Sequence, residues 1–227
     1  MGVPTGPPLF FVESVSTPVL SDPDHHHAAR VLRIRSGDPV TVSDGRGSWC
    51  SCRFGPSLVL DGEPEFVDAV TEPITVGFAL TKATKPEFVV QKLTEVGVDR
   101  IVAFGADRSV VKWDDDKSAT RLERWQGVAR EAAMQSRRAW IPAVEPVTTF
   151  DDLLAQSPAT VMADMVGRPL SRRDRFLIVG PEGGWSDRER SCGIDRVRIA
   201  PNVLRAETAA VMAGGLAVAL RDELLRP

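Results

Sequence analysis

Two rhythms of apolar and polar positions divide the chain near Glu72. Before that point the apolar residues come in short runs, at 9–12, 39–42, 49–54, 57–60 and 65–70, separated by Gly, Pro, Asp and Ser. Runs of this length between turn residues read as strands. Asp44-Gly45 between two of them predicts a hairpin, because glycine accepts the positive φ that tight turns need. Only 25–32 reads as a helix, so a small β-barrel with one helix is expected over 1–72.

From residue 73 the rhythm becomes strand, helix, strand. A strand over 74–80 leads to Pro86, which a first helical turn accepts; Val89, Val90, Leu93 and Val96 then recur at helical spacing, and Gly97 stops the helix. A strand over 100–104 precedes a long helix over 118–138, with Leu122, Trp125, Ala129, Ala132 and Ala133 near one stripe. Further strands are expected at 160–163, 176–179 and 196–199. The last helix, 207–225, is apolar almost all round as far as Leu220, the mark of a helix buried on several sides. Gly214-Gly215 inside it costs about 1 kcal/mol per glycine relative to alanine, which points to a close backbone approach, at a subunit interface for instance. Alternating strands and helices predict a parallel α/β sheet covered on both faces over 73–227.

Charge adds little. The chain of 227 residues carries 28 basic and 31 acidic side chains, net −3, so it is no polycation built to coat nucleic acid. The first 72 residues hold 5 basic and 10 acidic side chains and the rest 23 and 21, which places the basic excess in the second part. Three cysteines, two of them in Cys50-Ser51-Cys52, form neither a disulfide framework nor CxxC pairs, so a reduced, cytoplasmic protein is expected. No basic and then apolar leader is seen, Gly6 stands where a myristoylation signal needs Ser or Thr, and the longest apolar run, 209–220, is short of the roughly 20 residues that span a bilayer. Consecutive His25, His26 and His27 on a helix point about 100° apart and cannot converge on one ion, so no metal site is expected.

Three segments carry candidate chemistry. Phe176-Leu177-Ile178-Val179 followed by Gly180-Pro181-Glu182-Gly183-Gly184 is a buried strand running into a glycine turn, and Ser186 with Glu189 then forms a capping box. Open α/β sheets bind ligands at such strand ends. The pattern is neither GxGxxG nor GxxxxGK[ST], so a dinucleotide fold or a P-loop is unsupported. The second segment, Ile199 to Thr208, sets polar Arg205 and Glu207 in apolar surroundings where a strand gives way to a helix. The third, Glu131 to Arg138, places Gln135, Ser136 and Arg138 at a helix end. Taken singly, a tight turn accounts for the first equally well, a dipole-paired Glu207 can account for the second, and dipole-complementary surface arginines account for the third better than a site does.

Together these segments, with 81–88 and 91–98 upstream and with His27-Ala28-Ala29-Arg30, Gly37-Asp38 and Asp44-Gly45 near the amino terminus, resemble the 16S rRNA uridine-N3 methyltransferase family. That family belongs to the knotted SPOUT class of S-adenosylmethionine enzymes. The resemblance covers nearly the whole chain in order. It implies an α/β SPOUT domain with a carboxy-terminal trefoil knot over 73–227, a PUA-like RNA-binding barrel over 1–72, and a homodimer. The implied cofactor residues are Ala163, Val179, Gly180, Pro181, Glu182, Gly183 and Gly184, with Ile199, Asn202, Val203 and Leu204. Arg138, Arg205 and Glu207 match family signatures near the active site, and chemistry suggests their roles: Arg138 or Arg205 to stabilise charge on the uracil, since arginine is a poor base, and Glu207 as the alternative proton acceptor. Arg30, Arg33, Arg35, Lys82, Lys85, Arg108, Lys112, Gln135 and Ser136 are the candidates for RNA contact.

The implied partner is 16S ribosomal RNA or the small ribosomal subunit, with no DNA and no membrane. Two departures stand out: Met134 where the family has Glu, and Asn202 where it has Arg. Other readings stay open, namely a SPOUT enzyme acting on another RNA position or on tRNA, or a non-catalytic RNA-binding assembly protein.

Overall fold

The computed structural model describes residues 3, 5–80, 85–109 and 115–225. By compactness the chain divides into two units, Met1–Val70 with Arg130–Ile141 and Thr71–Ala129 with Pro142–Pro227.

The first unit is built on β1 (Leu9–Phe11), β2 (Pro39–Ser43), β3 (Ser48–Arg53), β4 (Val59–Leu60) and β5 (Glu65–Phe66). β1 lies parallel to β2, which forms the expected antiparallel hairpin with β3; β4 and β5 both pair with β3. The hairpin turns through Gly45 and Gly47 at φ 70° and 103°, where other residues would be strained. Phe10, Val40, Val42, Cys50, Cys52 and Phe54 fill the core, and Cys50 and Cys52 share a strand face as their spacing requires. Burial pushes the Cys52 thiol up to about 12 and raises that of Cys50, so both behave as small apolar residues.

The helix expected at 25–32 instead starts earlier, as α1 (Asp22–His26), and continues as a turn of wider π-type helix over His27–Val31. Ser21 is the reason: its hydroxyl accepts from the amide of Asp24, and Pro23 suits the first turn. Residues 130–141 cluster with this unit rather than with the remainder of 73–227, because Ala133 and Ala139 pack with Leu9, Phe11 and Trp49.

The second unit is a six-stranded sheet in the order β11-β9-β10-β6-β7-β8 with every neighbouring pair parallel. In chain order its elements are β6 (Thr75–Ala79), α2 (Lys85–Glu95), β7 (Arg100–Gly105), α3 (Asp115–Gln135), β8 (Ala143–Thr149), α4 (Phe150–Ala155), β9 (Thr160–Pro169), β10 (Phe176–Val179), α5 (Asp187–Arg190), β11 (Arg196–Arg198) and α6 (Ala206–Arg221). Alternate residues of β10 face opposite ways, with Leu177 and Val179 on the side of α2 and α6 and Phe176 and Ile178 on that of α4.

β8 and α4 are absent from the sequence expectation. β8 is an edge strand with only Val144 buried, so it lacks a clear alternation. α4 is short and starts at Thr149, whose hydroxyl accepts from the amide of Asp152.

α2 stops at Gly97, φ 98°, with the amide of Val98 bonded back to Leu93. α3 ends at Gln135, three residues before the expected Arg138, because Arg137 takes φ 57° and the Arg138 amide reaches back to Ala133.

α6 buries Ala210, Ala213, Gly214, Ala217 and Val218 on one face, while Met212 is 40% exposed. Within this chain it is therefore covered on one side, not several. A Cβ on Gly214 would lie 2.7 Å from Leu93 and 2.8 Å from Val98. The close approach is internal, α6 against α2, and not the subunit contact expected for it. Gly215 meets no atom within 4 Å. Among the described residues no helix is long and apolar enough to cross a membrane.

Candidate functional site

The second unit gathers its chemistry where β9, β10 and β11 lie side by side. β9 does not end at Ala163 as expected but runs on to Pro169. Its register against β11 jumps from Arg196↔Met162 to Val197↔Arg168, so 163–167 bulge away from the partner strand. Gly167 closes the bulge against the backbone of Arg196 and Val197, where a Cβ would lie 2.7 Å from backbone atoms. This bulge, the glycine turn after β10 and the 199–204 segment after β11 enclose a cavity of about 260 Å³.

Of the residues expected to hold a cofactor, Ala163, Val179, Gly180, Pro181, Glu182 and Gly184 line this cavity, as do Ile199, Asn202, Val203 and Leu204. Gly183 does not; it faces Arg108, whose guanidinium donates to its carbonyl at 3.2 Å. Arg108, expected to contact RNA, thus makes a contact that holds the glycine turn.

Sequence reading missed several lining residues, notably Asp164, Trp185 and Arg190. Trp185 is the keystone: its indole N–H donates to the Ala163 carbonyl at 2.9 Å, and its ring lies 2.8 Å from where a Gly180 Cβ would be. The same ring stacks on Phe104, 7° from parallel. One aromatic side chain therefore ties the β9 bulge to the β10 turn, which explains why position 180 is glycine. The legible signal was Trp185 directly after two glycines.

Behind the turn, the predicted capping box is present, with Ser186 and Glu189 bonding each other's amides. Glu189 is fully buried and also accepts from the Asp107 amide at 2.9 Å. Asp107 itself is held at about 2, chiefly by the Arg188 guanidinium and then by the Ser186 hydroxyl. These contacts fix the loop after β7 to the start of α5.

Arg205 is exposed at the N-cap of α6 and Glu207 is partly buried in the first turn. Arg138, Gln135 and Ser136 belong to the first unit. The Ser136 hydroxyl is spent on the Ala132 carbonyl at 2.7 Å, whereas Gln135 is exposed at the rim of a cavity of about 950 Å³ that Phe10, His27, Leu32 and Arg137 also line. Met134, one of the two departures, packs against both apolar clusters of the unit; a thioether suits that setting better than a carboxylate.

Arg30, Arg33 and Arg35 are exposed, Arg33 at φ 56°. Lys82 and Lys112 lie outside the described residues, as does the side chain of Lys85. His25 is engaged with the Gly55 carbonyl at 3.1 Å and the Phe54 ring.

Comparison with known proteins adds what geometry alone does not. Residues 69–218 match the model of the RNA methyltransferase domain, and residues 20–55 that of the RNA methyltransferase PUA domain. The chain is 34% identical to the ribosomal RNA small subunit methyltransferase E of Mycobacterium bovis, over 91% of this chain and 89% of that protein. It is 31% identical to the Bacillus subtilis protein of the same name, over 95% and 94%. The crystal structure of a ribosomal RNA small subunit methyltransferase E from Neisseria gonorrhoeae bound to S-adenosyl methionine superposes with a TM-score of 0.80 at 26% identity, covering 95% of this chain and 98% of that one.

Proposed function

Because the chain belongs to the RNA methyltransferase domain family, with a PUA domain ahead of the catalytic one, we propose that it methylates N3 of a specific uridine in the 16S ribosomal RNA of the small subunit, using S-adenosylmethionine. The observation that carries this reading is the single cavity built by the β9 bulge, the Gly180–Gly184 turn and the 199–204 segment, in a fold shared with a relative solved with that cofactor.

The residues present fit such a ligand. The walls are mostly apolar or backbone, Gly184 turns at φ 69°, and the carboxylate atom Oδ2 of Asp164 is buried without a hydrogen bond. Backbone groups at 163, 180–182, 184 and 199–204 would hold the cofactor, which supplies an electrophilic methyl group on a sulfonium sulfur.

What the chain itself contributes is placement and charge. N3 lies on the Watson–Crick edge of uridine, so the base must be unpaired or flipped before the protein can present it. Orienting it in line with the methyl group is the largest contribution open to the enzyme. Arg138 and Arg205 remain protonated and serve to stabilise negative charge on the uracil, not to remove its proton. Glu207, in the first turn of α6, is the acceptor for that proton.

Met165, Val166, Val203 and Met212 leave apolar surface exposed at or beside the cavity rim and on α6. In this reading a second copy of the chain covers it, and the carboxy-terminal segment forms the trefoil knot of the family. The surface grip on RNA falls to Arg30, Arg33 and Arg35, with Lys82, Lys85 and Lys112 from the second unit, and base contact to Gln135. Three free cysteines suit a reducing cytoplasm.

Single-turnover methylation at saturating RNA and cofactor tests the assignments. Arg138→Ala and Arg205→Ala should each lower the rate roughly a hundredfold, the loss typical of one preorganised donor. Wild-type rates in both would remove the arginines from the mechanism. Glu207→Gln should abolish the acidic limb of the pH–rate profile, and an unchanged profile would remove Glu207 as base.

A further inference from the structure

Val31 and Leu32 are apolar side chains that the core of the first unit leaves outside: they are 62% and 43% exposed, against 0% for Ala28. In a regular α-helix, residues three and four places after Ala28 would share its buried face. Here the turn widens, with the Leu32 amide bonded to the His27 carbonyl at 3.0 Å, and the chain then reverses through Arg33 at φ 56°. Ile34 takes the place against the core instead, its amide reaching back to the Ala28 carbonyl. A widened turn and an arginine in the left-handed region are both unfavourable backbone choices, and such choices gather at functional sites. Their effect is to turn Val31 and Leu32 outward.

Charge indicates what the pair meets. No acidic residue lies between Asp24 and Asp38, and the pair is bracketed by Arg30, Arg33 and Arg35, all exposed. Elsewhere in the same unit the Arg53 guanidinium is spent on Asp61 and that of Arg130 on Asp24. The three arginines around the pair form no ion pair among the described residues; Asp38 accepts only from the Arg35 backbone amide, at 2.7 Å. A protein interface depletes charge around its apolar centre, and a stable one takes about 20–30 residues a side. Alternating apolar and cationic side chains instead match a polymer of flat bases and phosphates. The segment also lies within residues 20–55, which match the RNA methyltransferase PUA domain.

We propose that Leu32, with Val31 at its side, is a wedge that inserts between bases of the RNA substrate and keeps them unstacked, while Arg30, Arg33 and Arg35 hold the adjoining phosphates. This rests on the RNA-methylating reading above and supplies a step that reading lacks. Uridine N3 is reached only after the base leaves its stack, and a side chain that fills the gap offsets part of that cost. Leu32 lines the same cavity as Gln135, so the wedge stands beside the amide proposed for base contact.

Carbodiimide, which modifies N3 of uridine and N1 of guanine only where they are unpaired, reads such opening directly on 16S rRNA saturated with the full-length protein. Wild-type protein should raise modification at bases bordering its footprint. Leu32→Ser should cut that increase about tenfold while leaving the salt dependence of RNA binding unchanged, because that dependence counts phosphate contacts. Leu32→Met, which keeps an apolar tip, should restore the increase. Arg30→Ala should lower the slope of log affinity against log salt by about one. Undiminished opening by Leu32→Ser, or no opening by bound wild-type protein, would overturn the proposal. So would Leu32-dependent binding to phosphatidylglycerol vesicles in place of RNA, which assigns the pair to a membrane surface. Opening that depends on Leu32, in a protein that leaves every uridine N3 unmethylated when cofactor is added, would keep the wedge and sink the methyl-transfer reading.

Discussion

Asp107 shows how single side chains hold the site's loops in place. Its carboxyl is held at about 2, first by the Arg188 guanidinium and then by the Ser186 hydroxyl. A carboxyl whose folded value lies below its unfolded value contributes stability that is fully present above the ordinary range near 4 and lost as pH falls through the folded value. Protonation should therefore release the β7 loop from α5 only as pH drops from about 4 towards 2. A carbon-detected NMR titration of Asp107 should give a midpoint near 2, and one near 3.8 would contradict the bonding described.

Residues such as Gly180, Ser186 and Glu189 were legible because their types are tied to a backbone need: a close approach or a cap. Asp164 was not, since nothing local marks a carboxylate as facing a cavity, and Trp185 was marked only by the two glycines before it. Their roles come from strands brought together over long sequence separations, as with Trp185 reaching Ala163.

Among the elements, those with strong periodicity or clear stop signals were readable. α2 ends at its predicted glycine, and β10 occupies the expected 176–179. β8 was hidden because an edge strand need bury little, and the bulge in β9 because it is defined by pairing with β11, a strand distant in sequence.

The glycine pair in α6 was noticed but misassigned. Leu93 and Val98 make the demand at Gly214, whereas position 215 is open within the chain. Gly214→Ala should therefore overpack the α2–α6 contact and cost about 1–3 kcal/mol, read from urea unfolding. An unchanged midpoint would mean the contact yields more readily than its distances imply.

At the scale of the whole molecule, a net charge of −3 gives no sign of an RNA partner. Composition averages over surfaces, and exposed Arg30, Arg33 and Arg35 lie in the more acidic part of the chain. The first compact unit ends at Val70 but also takes in 130–141, a capture that depends on packing between distant segments and leaves no mark in the local sequence. As a result the candidate groups are shared out: the cavity, Arg205 and Glu207 lie in one unit, Gln135 and Arg138 in the other.

Under the reading proposed above, a second copy covers the apolar surface at the cavity rim and on α6. Sedimentation equilibrium at working concentration should show a dimer, and a monomer there would contradict that part of the reading.

The central claim is the transfer of a methyl group to uridine N3 in small-subunit RNA. Nucleoside mass spectrometry of 16S rRNA from a strain lacking this protein, with and without the gene restored, tests it most directly. Loss of N3-methyluridine on deletion and its return on restoration is the predicted result; N3-methyluridine unchanged by deletion would contradict the account.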